Sequence, residues 1–190
     1  TQAFTRPSLL RVLNVMFRGT TDSHSKTRRA AKTGTLRVLE TQNEIVSSKI
    51  VSFAENLLAT SASSSSDGES PTTLYLMSML KTVAPVMSTV SVSKLITNVL
   101  LRTLKSIGPS NQEKQKRMTT LSISDTLGSI FQNPKIQISN KVLIGTSRVL
   151  LECAPVVNGV VVSSSSEYTS SWSPALAYCI RAISQQKKTS

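Results

Sequence analysis

Apolar side chains in this chain return every third or fourth residue, and each run of them ends at a proline, a glycine or a block of serines. That spacing is helical, because residues three and four apart share one face of a 3.6-residue turn. It is plainest in "TLRVLETQNEIVSSKIVSFAENLLATSA", where Leu36, Leu39, Val46, Ile50, Phe53 and Leu57 fall on one seam with Asn43 among them. A single long helix is predicted, its seam amide able to fix the register against a neighbour. Aromatics are only 4% of the chain, so the core must be built from Leu, Val, Ile and Ala, which suits helices packed on helices.

The breaks between runs have physical causes. Ser70-Pro71 reads as a cap and first turn, and Pro85 should bend or end the helix that follows because it lacks a backbone donor. Ser91 or Ser93 is then placed to cap a helix carrying Val92, Leu95, Ile96, Val99, Leu100, Leu104 and Ile107, which Gly108-Pro109 should stop. In "SDTLGSIFQNPKIQISNKVLIGTSRVLLE" the residue before Pro134 is pushed out of the helical region, and Ser139 can start the next helix. The predicted core comprises Leu39, Val46, Ile50, Phe53, Leu95, Val99, Leu104, Leu127, Ile130, Leu143 and Leu150.

Towards the amino terminus, "RPSLLRVLNVMFRG" gathers Leu9, Leu10, Val12, Leu13, Met16 and Phe17 largely on one side of a short amphipathic helix. The basic, polar "TTDSHSKTRRAAKTGT" that follows reads as a mobile linker, so residues 1–34 are expected to form a helix and linker ahead of a helical domain at 35–190. Serine-rich stretches at 61–70 and 163–173 have too little apolar surface to order themselves and should be surface loops. "VVNGVVV" invites a short hairpin near 156–162 about Asn158-Gly159, and Ser173-Pro174 opens a last helix. The expected fold is all-α, about seven helices in an irregular bundle or array. The sequence opens on Thr1, not Met, which leaves room for a leader or a larger amino-terminal portion.

A surplus of 22 Lys and Arg over 10 Asp and Glu, a net charge of +12, predicts attraction to an anionic surface, whether nucleic acid, acidic protein or lipid headgroups. Lys26, Arg28, Arg29 and Lys32 form one cluster, Lys114, Lys116 and Arg117 a second, and Lys187 and Lys188 a third. Together they could neutralise several phosphates, binding backbone and not sequence, but no aromatic residue is interleaved with them to stack a base. Cys153 and Cys179 match no zinc or thiol-redox spacing, and either a pair of buried thiols or one disulfide fits them. His24, the single histidine, sits in the basic stretch with nothing nearby to orient it, so a hydrolase triad is not expected. The carboxylates are scattered and no phosphate-cradling glycine loop occurs, so no metal site, cofactor or catalytic centre is expected. No apolar run reaches the length of a membrane-spanning helix.

The succession "VSVSKLITNVLLRTLKSI", a polar gap, then "ISDTLGSIFQNPKIQISNKVLIGTSRVLLECAPVV" resembles the helical part of receptor-for-egg-jelly regions and of autoproteolysis-inducing extracellular domains, over residues 90–157. The resemblance implies an extracellular scaffold used in adhesion or filament assembly. The self-cleaving His-Leu-Ser/Thr tripeptide of those families is missing, and none of the eight asparagines lies in an N-x-Ser/Thr acceptor. The expected function is a non-catalytic structural or interaction module packed among the protein subunits of a larger assembly. The alternative is a basic helical RNA-binding or ribonucleoprotein component, for which the interior of an organelle would be the setting.

Overall fold

The computed structural model describes residues 6–63, 71–107, 114–153, 156–157, 160–161, 174–181 and 183–184. Its elements are α1 (Arg6–Thr20), α2 (Ser25–Ser63), α3 (Pro71–Val83), a 3-10 turn (Ala84–Val86), α4 (Thr89–Lys94), a π-helical turn (Leu95–Leu100), α5 (Leu101–Ile107), α6 (Lys114–Phe131) and α7 (Asn140–Glu152). A further helix occupies 174–181. The all-α array is the fold, joined by one minimal hairpin in which Val156 pairs with Val161 and Val157 with Val160, antiparallel. Its turn residues, the serine-rich stretches at 64–70 and 163–173, Gly108-Pro109 and the tail lysines Lys187 and Lys188 lie outside the described residues. The backbone of 61–63, expected to begin a loop, is instead the end of α2.

The basic stretch expected to be a mobile linker is helical from Ser25 onward, and the boundary expected at 34–35 falls inside α2. Ala30, Ala31 and the long straight side chains of Lys and Arg are good helix formers, and local bonds fix the start. His24 N–H donates to Asp22 Oδ1 at 2.7 Å, and Arg28 Nη1 donates to the Asp22 and Ser23 carbonyls at 2.7 Å each. The turn at 21–24 sends α2 back along α1, on which Leu9, Leu13 and Phe17 form a buried seam. The helices approach closely: a Cβ on Gly19 would stand 3.0 Å from the Ala31 Cβ, and one on Gly34 would stand 2.8 Å from the flexible end of Met16.

A second departure concerns the long helix itself. Gln42 has φ −134° and ψ 44°, outside the helical region, which divides α2 into arms of 25–41 and 43–63. An unbroken helix would set Ala31 and Phe53 roughly 33 Å apart. Yet Gly19 approaches Ala31, and Phe17, two residues before Gly19, meets Phe53 with ring centroids 5.4 Å apart. Both hold only if the second arm folds back at Gln42. Polar Thr41, Gln42 and Asn43 make this the weak point, for Thr41 Oγ1 turns back to the Val38 carbonyl at 3.2 Å.

Pro85 ends α3 as expected, and the chain makes a 3-10 turn there. The helix after it starts at Thr89 with Ser88, not Ser91 or Ser93, in the N-cap position, because extended backbone at Met87 and Ser88 lets it begin at once. Ser91 is buried inside α4. The carbonyls exposed at the proline joint are tied down from two sides: Asn43 Nδ2 donates to the Val86 carbonyl at 2.7 Å and Asn133 Nδ2 to the Pro85 carbonyl. Ser47 Oγ extends the network, donating to Asn43 Oδ1 at 2.9 Å and accepting from Ser88 N–H at 3.1 Å. Ser139 takes the N-cap position of α7, although its side chain makes no capping bond.

Every predicted core residue is buried except Phe53, which packs half-buried against the same cluster. A helical chain this rich in Ser and Thr still buries its faces because the hydroxyls serve their own helices. Thr20, Thr35, Ser124, Thr126 and Thr146 each donate to a carbonyl three or four residues back. Among the described residues no helix is long and apolar enough to cross a membrane.

Candidate functional site

Two polar stripes face each other where the first arm of α2 passes α3. On α2 the stripe runs Ser25, Arg28, Arg29, Lys32, Thr33; on α3 it runs Tyr75, Ser78, Thr82, opposite the buried Leu76, Met77, Leu80 and Val83. Between them lies a cleft of about 360 Å³, with Thr20 and Leu36 completing the lining. Helical periodicity alone makes it, for steps of three and four residues place each stripe on one face.

The cleft's cations are held in place. Arg28 lies over the Tyr75 ring, its guanidinium carbon 3.9 Å from the centroid, while the Asp22 and Ser23 carbonyls accept from its Nη1. Lys32 Nζ donates to the Ser78 carbonyl and to Ser78 Oγ, each at 3.2 Å. Partial burial, and secondarily the positive charge of Arg28, lower the pKa of the Lys32 ammonium from its usual value. Among the described residues no carboxylate lines the cleft. Among the described residues the two ion-pair contacts are those of His24 with Asp22 and Lys81 with Asp125, so Arg28, Arg29 and Lys32 have no carboxylate partner.

Three of the four residues in the first predicted cluster therefore converge, and Lys26 stands outside on the exposed surface of α2. Lys114, Lys116 and Arg117 belong to the opening turns of α6, but their side chains lie outside the described residues. Tyr75 and Ser78 were not among the expected contact residues. The available signal was the spacing of Tyr75, Ser78 and Thr82 on one side of an otherwise apolar helix, which tells which face is polar but not what it faces.

Among the described residues the other chemistry-bearing groups stand apart from this cleft. His24 is oriented after all, contrary to expectation: its Nδ1 is 3.4 Å from Asp22 Oδ1 and 3.2 Å from Ser23 Oγ. Both neighbours address the same ring nitrogen, whereas a proton relay needs the carboxylate on one nitrogen and the hydroxyl on the other. Cys153 and Cys179 are free, buried thiols, which sets aside the disulfide alternative. Burial pushes the Cys179 thiol up to about 12; burial, then Glu152, raises Cys153 against an opposing pull from Lys105. Each is thus a thiol at neutral pH. A wider cleft of about 650 Å³ between the second arm of α2, the π-helical turn, α5 and α7 has Glu55, Arg102 and Lys105 at its edge. No group of three His, Cys, Asp or Glu side chains able to hold a metal ion occurs among the described residues. In comparison with known proteins, no family model, curated sequence or solved structure matches this chain.

Proposed function

We propose that this chain is a non-catalytic interaction module: a helical bundle that packs into a larger protein assembly and docks an anionic partner at the α2–α3 cleft. The observation supporting this reading is the set of three cations, Arg28, Arg29 and Lys32, gathered in one cleft that no carboxylate of the described residues lines. Three like charges in one small space repel one another unless an anion joins them, and isolated internal neutralisation would have been the simpler solution had folding alone been served. An adhesion or filament scaffold, implied by the family resemblance, is the setting that suits such a module.

A ribonucleoprotein component is the second reading, favoured by the net charge of +12 and by the exposure of Lys26 and Arg29 on the same helix. Purification without nuclease, with nucleic acid followed by absorbance at rising salt, separates the two. The module reading expects protein free of nucleic acid at physiological salt. Nucleic acid that co-purifies and dissociates with a steep dependence on salt contradicts it and favours the ribonucleoprotein.

A further inference from the structure

We propose that the α2–α3 cleft receives a phosphate monoester borne on a partner protein, a phosphoserine or phosphothreonine side chain; this rests on the docking-module reading and specifies what is docked. A monoester carries nearly two negative charges and three acceptor oxygens at neutral pH, so it calls for several cations around one point. Arg28, Arg29 and Lys32 meet that demand within a cleft of about 360 Å³, and Ser25 and Thr33 add hydroxyls to its lining. A space of that size suits a side chain and its phosphate, near the lower end of small-ligand sites.

Pre-organisation points the same way. Two backbone carbonyls and the Tyr75 ring fix Arg28, and both carbonyl bonds use Nη1. Among the described residues no acceptor takes the remaining donors of its planar fork, which suit an incoming oxyanion. Ser78 holds Lys32 with its carbonyl and its hydroxyl, so the ammonium is positioned before a ligand arrives. Burial and the Arg28 charge depress the pKa of Lys32, and a bound dianion opposes both effects. A nucleic-acid backbone fits less well. Its phosphates carry one charge each and are spread along a strand, and the ring in this cleft, Tyr75, already stacks against Arg28, which takes from it the role of a base platform.

The test titrates isotope-labelled full chain with a phosphoserine peptide whose flanking residues are neutral, the same peptide unphosphorylated, inorganic phosphate and a short oligouridylate, following backbone amide shifts and fluorescence anisotropy. The phosphopeptide is expected to bind at least about tenfold more tightly than its unphosphorylated form and to move the amides of Arg28, Lys32 and Ser78. Arg29→Gln and Lys32→Gln should each weaken it about fivefold to tenfold, with circular dichroism showing the helices intact. Arg28→Gln also loosens the start of α2, so the two other variants carry the test. Equal binding of the two peptides, or unmoved cleft amides, overturns the proposal. Oligouridylate moving those amides at lower concentration than the phosphopeptide overturns it in favour of a diester, and inorganic phosphate bound without the phosphopeptide overturns the partner-protein source. If every phosphate ligand fails while the chain still enters a protein complex of defined mass, the ligand chemistry is wrong and the module reading stands; failure of both removes both.

Discussion

Asn43 in α2 and Asn133 in the turn after α6 reach adjacent carbonyls of the Pro85 turn, and so do for that joint what a regular helix would have done for itself. Replacing Asn43 with Ala removes the bond to Val86 and leaves the buried Ser47 hydroxyl without its acceptor, a loss of about 1–2 kcal/mol. Urea unfolding should show that loss, and a non-additive one when Asn133→Ala is combined with it, since both act on one turn. An Asn43→Ala protein as stable as the parent would mean that the joint is held otherwise. The seam position of Asn43 was legible in the sequence because helical spacing exposes it. Its partner was not, because Val86 lies in another element. Cys179 makes a different prediction: its folded pKa, about 12, lies above the ordinary 9.0. The folded state therefore holds that proton more tightly, and its contribution to stability, complete below pH 9, is lost as pH rises towards 12. Cys179→Ala should flatten that alkaline decline, and a thiol reagent at neutral pH should label Cys153 and Cys179 only after unfolding.

Helix starts and stops were written locally, by Pro71, Pro85, Asn133-Pro134 and Ser139, and could be read from neighbours in sequence. The bend at Gln42 and the π-helical turn at Leu95–Leu100 could not. Neither carries a proline or glycine, and each is imposed by what packs around it: Phe17 against Phe53 for the bend, and burial of Leu95, Ile96, Val99 and Leu100 together for the wider turn. Phe17→Ala should cost about 3–5 kcal/mol, because α1 and the second arm of α2 both lose their shared ring contact. The helical state of the basic stretch has its own test at exposed Ala30. Ala30→Gly should cost about 1 kcal/mol in a helix and nothing measurable in a linker. By contrast Asp125→Asn, which breaks the exposed 2.9 Å pair with Lys81 between α3 and α6, should change stability by less than about 1 kcal/mol.

At the scale of the whole molecule, apolar periodicity decides the fold, and the polar faces left over line the cleft between α2 and α3. The basic cluster was visible as composition, but nothing in the chain's order shows that Arg28, Arg29 and Lys32 turn towards Tyr75 and Ser78 while Lys26 does not. That distinction follows from folding α2 beside α3. Native mass measurement of the assembly from its source, for the parent chain and for the triple variant Arg28→Gln, Arg29→Gln, Lys32→Gln, tests the docking role most directly. The expected result is a protein-only complex from the parent and a folded, uncomplexed chain from the variant. A complex that survives the triple substitution, or one whose added mass is nucleic acid, contradicts it.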